Sequence, residues 1–145
     1  MSQRLDFYKA NPAAIKAMVG LEQRINQSAL EKPLVELVRL RASQINGCAY
    51  CMDLHSADAR KAGEDARRLA TLSAWRETPF FNERERAALA WTEALTLVSE
   101  THVPDDVWAT ARPHFSDEEL ADLTLLVVAI NGWNRFAIAF RKQPA

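Results

Sequence analysis

Helix start and stop signals recur from one end of this chain to the other, and no stretch alternates apolar with polar residues as a strand would. Asn11-Pro12 has the form of an N-cap followed by proline at the first helical position, opening a segment to about Ala29. Pro33 opens the next helix, in which Leu34, Leu37, Val38, Arg41 and Ile45 share one face. Gly47 stops that helix where a left-handed C-terminal residue is favoured. A third segment runs from Cys48 to about Ala62, before Gly63, and a short fourth runs from Glu64 to about Leu72. Thr78-Pro79-Phe80-Phe81 predicts a break with the character of a minor hinge. Beyond it, Asn82 and Glu85 have capping-box spacing and open a long helix to about Glu100, with Ala87, Leu89, Ala94, Leu95 and Val98 at helical intervals. Pro104 starts another helix that ends before Pro113, and Ser116 with Glu119 opens a last one to about Phe140. The pattern predicts an all-α fold of about six to eight helices.

A length of 145 residues predicts one domain, residues 1–145, with room for a substantial core. A formal charge of −1 and a pI near 6.3 give no electrostatic footprint for nucleic acid or an anionic membrane. The longest apolar run, Leu123 to Ile130 interrupted only by Thr124, falls short of the roughly 20 residues that span a bilayer. Met1–Asp6 lacks the apolar stretch of a signal peptide, so a cytoplasmic location is expected. In that reducing compartment, a lone Cys-x-x-Cys pair points to catalysis or metal binding rather than to a structural staple.

Both cysteines lie in the run Cys48-Ala49-Tyr50-Cys51-Met52-Asp53-Leu54-His55. On a helix, Cys48, Cys51 and His55 fall on one face, because residues three or four apart are neighbours there. Only the thiolate attacks a peroxide or a disulfide, and an ordinary thiol with a pKa of about 8.5 is mostly protonated at neutral pH. His55 is placed to accept the proton of Cys51. Cys48, one turn earlier and nearer the helix mouth, is placed to attack an oxidised Cys51 and to face an external reductant. Glu36 stands among Leu34, Val35, Leu37 and Val38, twelve positions before Cys48. A turn at Asn46-Gly47 would bring it beside the thiols, where apolar neighbours are expected to raise its pKa and suit it to relay protons.

Taken together, Glu36, Cys48-x-x-Cys51 and His55 resemble in all four positions the signature of the alkylhydroperoxidase AhpD-like branch of the carboxymuconolactone decarboxylase family. Arg39–Gly47, Ala57–Gly63, Glu85–Leu95 and Asn131–Phe136 resemble the same family, so the likeness spans roughly residues 30–140. It implies a helical fold assembled as a trimer or hexamer, and a proton relay from Glu36 through water and His55 to the cysteines. It further implies reduction of organic hydroperoxides or hydrogen peroxide, with electrons from a dithiol or disulfide-reductase donor. Neither a cofactor nor a resident metal is expected. Some members carry a second histidine between the cysteines, where this chain has Ala49 and Tyr50, so the relay has one base fewer or uses the Tyr50 hydroxyl.

Other readings stay open at this level. Zinc held by Cys48, Cys51, His55 and either His102 or His114 lacks a second closely spaced donor pair. A redox sensor or electron relay would use the same disulfide without turnover, and a lactone-directed decarboxylase or isomerase would not need the cysteines. Trp75, Trp91, Trp108 and Trp133 read as core or subunit-interface residues. Asn131, Asn134 and Arg135 read as capping or interhelical hydrogen-bonding groups. His102 and His114 sit at helix boundaries and read as structural.

Overall fold

Helix is the only regular secondary structure, and the computed structural model describes residues 1–145. The order is α1 (Phe7–Ala10), α2 (Pro12–Gln27), α3 (Lys32–Asn46), α4 (Ala49–Lys61), α5 (Ala66–Thr71), a 3-10 helix (Leu72–Glu77), α6 (Glu83–Thr96), α7 (Val98–Thr101), α8 (Asp105–Ala111) and α9 (Asp117–Phe140). The all-α expectation holds. The count of nine α-helices exceeds six to eight because α1 and α7 are single turns of four residues each.

The local chemistry at the helix ends follows the sequence closely. Asn11 caps α2 and Pro12 occupies its first turn. Asn82–Glu85 and Ser116–Glu119 form complete capping boxes at α6 and α9. Three boundaries differ from expectation. The long helix after Asn82 breaks at Leu97, and α5 starts at Ala66 because the Asp65 carboxylate accepts from the Arg67 and Arg68 backbone N–H groups. The Thr78–Phe81 segment is pinned rather than hinge-like: Phe81 is buried with Leu37, Leu72 and Leu89, and Arg86 donates to the Thr78 carbonyl at 3.1 Å.

Helix α3 organises the interior. Leu34, Val35 and Val38 meet Ala87, Ala88 and Trp91 of α6 and Leu123, Leu126 and Val127 of α9, while Leu37 and Leu40 serve a second cluster with Leu72, Trp75 and Phe81. A helix apolar around most of its circumference must be enclosed, and α3 is packed between α4, α6 and α9. By length and composition alone α9 would cross a membrane, more than its longest apolar run suggests. Here it is a core helix: Leu123, Leu126 and Ile130 are buried, Arg24 makes a two-pronged contact with buried Asp122 at 3.1 and 2.9 Å, and buried Asn134 donates to Ser43 Oγ at 3.1 Å. Asn46 also donates to Asn131 and Asn134 of α9, both at 2.9 Å, so these polar residues are interhelical hydrogen-bonding groups as expected.

Candidate active site

The end of α3 and the start of α4 are joined by two residues, Gly47 and Cys48. Gly47 adopts a left-handed conformation (φ 69°), its N–H bonds the Gln44 carbonyl at 3.2 Å, and the Cys48 N–H bonds the Ser43 carbonyl at 3.0 Å. This pair of bonds is a Schellman closure, which satisfies the last carbonyls of α3 and reverses the chain. Cys48 becomes the N-cap of α4, where its Sγ accepts the Cys51 backbone N–H at 3.3 Å, in the position usually filled by a serine or aspartate oxygen. Cys48 and Cys51 are bonded to each other as a disulfide, with Cα atoms 5.3 Å apart. Sulfur at Cys48 therefore sits in the positive field of a helix N-terminus, which favours a thiolate there once the bond is reduced.

The same reversal lays α4 against α3 and brings His55 to Glu36. His55 Nδ1 and Glu36 Oε2 are 3.2 Å apart. The other Glu36 oxygen accepts from Arg39 Nη1 at 2.7 Å, and Arg39 also pairs with Glu22 of α2. Glu22 in turn accepts from the Trp133 indole of α9 at 2.9 Å. Burial pushes the Glu36 carboxyl up, but the hydrogen bond from His55 and the charge of Arg39 outweigh it, and the net direction is below the ordinary glutamate range. The raised value expected from its apolar sequence neighbours is thus reversed by partners that sequence adjacency does not display. An ionised carboxylate only accepts, so the His55 proton resides on Nδ1 and the Nε2 lone pair is left free.

Cys51, His55, Tyr50, Leu54, Arg39, Glu22, Trp133 and Tyr8 line one cavity of about 320 Å³. Phe7, Tyr8, Tyr50 and Trp133 give it an aromatic part, with Tyr8 and Trp133 ring centroids 6.4 Å apart, beside the polar Glu22, Asn26 and Arg39. Cys48 does not line it, and opens instead onto a second cavity bounded by Tyr50, Ala137, Arg141 and Lys142. Both sulfurs are buried, Cys48 at 1% and Cys51 at 3% exposure, so Cys48 is not the open thiol that its place near the helix mouth suggested. All four residues singled out in the sequence are brought together on the α3–α4 hairpin. Arg39 joins as the ion-pair partner of Glu36 that the spacing offered alongside Arg41, and Glu22, Tyr8 and Trp133 join unannounced. Arg39 had a local signal in its spacing of three from Glu36, whereas Glu22 and Trp133 lie on distant helices.

The zinc set does not assemble. The cluster of ligand atoms within 4.8 Å of one another is Glu36, His55 and Asp58, which includes neither cysteine, nor His102, nor His114. Glu36 is already neutralised there by Arg39. His102 caps α7 in a left-handed conformation, and the His114 carbonyl accepts from Arg84, both structural roles. Trp75 and Trp91 are buried, and Trp108 is 46% exposed.

The family model described as the carboxymuconolactone decarboxylase family matches residues 12–94. The uncharacterised protein YdfG of Bacillus subtilis is 41% identical over 145 residues, spanning 100% of this chain and 99% of its own length. A crystal structure from Agrobacterium tumefaciens, of unknown function and provisionally assigned as the antioxidant defence protein AhpD, superposes with a TM-score of 0.96 at 44% identity, covering 99% of each chain. An uncharacterised peroxidase-related protein from Silicibacter sp. TM1040 gives a TM-score of 0.83 at 25% identity, over 95% of this chain and 73% of that one.

Proposed function

Because the chain belongs to the carboxymuconolactone decarboxylase family, in its AhpD-like branch, we propose that it is a thiol-dependent peroxidase acting as a homo-oligomer of three or six copies. One observation carries this reading: of a bonded pair of cysteines, one lines a cavity together with a histidine whose tautomer is fixed by a carboxylate. In the reduced protein, His55 Nε2 takes the Cys51 proton. The thiolate attacks one oxygen of a hydroperoxide, forming an S–O bond as the O–O bond breaks, and the departing alkoxide takes the proton back from His55 to leave as alcohol. Cys48 then attacks the sulfenic sulfur of Cys51, closing the disulfide and releasing water. A thiol donor reopens it. Glu36 holds His55 in place and stabilises its cationic form, which replaces the relay through a protonated Glu36 expected from the sequence. Tyr50 lines the cavity beside Cys51 as packing.

The test is hydroperoxide consumption in the presence of a thiol reductant. Cys51→Ser is expected to abolish it, and His55→Ala to slow it by roughly 10²-fold at neutral pH. Undiminished turnover by Cys51→Ser would sink the proposal.

A further inference from the structure

The two cysteines of the disulfide line different cavities. Cys51 lines the one with His55, and Cys48 lines the other, of about 360 Å³, with Arg4, Arg141 and Lys142 at its rim and no acidic residue among its lining groups. Tyr50 and Ala137 line both. None of the three cations has a carboxylate within ion-pair distance. Arg4 donates one N–H to the Ala139 carbonyl at the end of α9, and the Lys142 ammonium rests 4.9 Å from the Tyr50 ring centroid and 5.0 Å from that of Tyr8. Arg141 is held in a left-handed conformation (φ 54°) as the cap of α9, a posture that glycine adopts without strain and arginine does not.

We infer that the Cys48 cavity is the docking site for the electron donor, and that the donor is a small thiol carrying a carboxylate. The inference rests on the dithiol–disulfide cycle proposed above and assigns its reducing half. A thiolate attacks a disulfide from behind the sulfur it bonds to, so a donor in this cavity attacks Cys48. The donor–Cys48 bond forms, the Cys48–Cys51 bond breaks, and the electron pair leaves on Cys51 as a thiolate on the His55 side, ready for the next peroxide. A second donor thiolate attacks the donor sulfur of the mixed disulfide. The donor departs as its disulfide, two electrons poorer, and Cys48 is released as a thiolate at its N-cap. Because Cys48 is buried, the donor must enter the cavity, where unpaired cations raise the local concentration of an anion and its thiolate. Peroxide and donor thereby reach the disulfide through separate cavities.

The test measures reduction of the oxidised protein without peroxide, by acid quench, alkylation and intact mass. The donors are 3-mercaptopropionate, 2-mercaptoethanol and cysteamine, compared per thiolate. The anionic donor is expected to be faster than the neutral one by about tenfold at low salt, the cationic one slower, with the differences shrinking as salt rises. Arg141→Gly/Lys142→Gln, which relieves the cap strain and so keeps the fold, is expected to collapse the series, whereas Lys16→Gln/Lys61→Gln, which removes the same charge elsewhere, is not. Equal rates for the three donors, or a series unchanged by the Arg141/Lys142 variant, overturn the inference, including the case in which only an acidic protein donor works. Since no peroxide is present, failure here leaves the peroxidase reading standing, and an active Cys51→Ser leaves the donor preference standing.

Discussion

Glu36 shows how partners override burial at the scale of one residue. A half-buried carboxyl among leucines and valines would ionise late, yet the His55 and Arg39 contacts hold it below its ordinary value of 4.5. The sign of the linkage follows. A group whose folded pKa is depressed stabilises the fold fully above its unfolded value, and loses that contribution as pH falls through the folded one. The stability advantage of the native protein over Glu36→Gln is therefore expected to shrink as pH falls below about 4.5, as read by denaturant unfolding at several pH values. An advantage that grew on acidification through that range would contradict the ionised network. The identities of Glu36, Cys48, Cys51 and His55 were legible because three of them sit at helical intervals and the fourth at a fixed distance before a glycine turn. Glu22 and Trp133 were not, because what ties them to Arg39 is the approach of α2 and α9, a tertiary fact with no local spacing.

Among the elements, the junction from α3 to α4 matters most, since it places the cysteines. Gly47 sits at φ 69°, and a Cβ added there meets nothing within 4 Å, so the whole penalty of a side chain is conformational. Gly47→Ala is expected to lower stability by about 1 kcal/mol. Arg141, at the equivalent place after α9, is the converse: Arg141→Gly is expected to raise stability by about 1 kcal/mol. Denaturant midpoints check both, and like-signed shifts would contradict the cap argument. Proline and glycine announced most helix boundaries correctly. The break at Leu97 was invisible because neither proline nor glycine marks it, the next being Pro104. Tertiary bonding decides it: the Thr101 hydroxyl donates to the Ala94 carbonyl at 2.6 Å, and the turn delivers Val103 and Val107 to the main core.

For the whole molecule, the helical class followed from periodicity alone, while which apolar side chains stay exposed did not. Val128 and Ile138 on α9 are 55% and 46% exposed, and Val98 is 50% exposed. Light scattering is expected to give three or six times the 16.3 kDa of one chain. A monomeric mass would remove the proposed assembly without touching the chemistry. That chemistry turns on which sulfur meets the peroxide. Each single-cysteine variant, reduced, is to be given one equivalent of hydroperoxide, then a sulfenic-acid trap, and the labelled protein weighed. Cys48→Ser is expected to take one label on Cys51 within the first turnover, and Cys51→Ser to stay unlabelled. A label on Cys48 in Cys51→Ser, with none on Cys51 in Cys48→Ser, would contradict the division of labour between the two cavities.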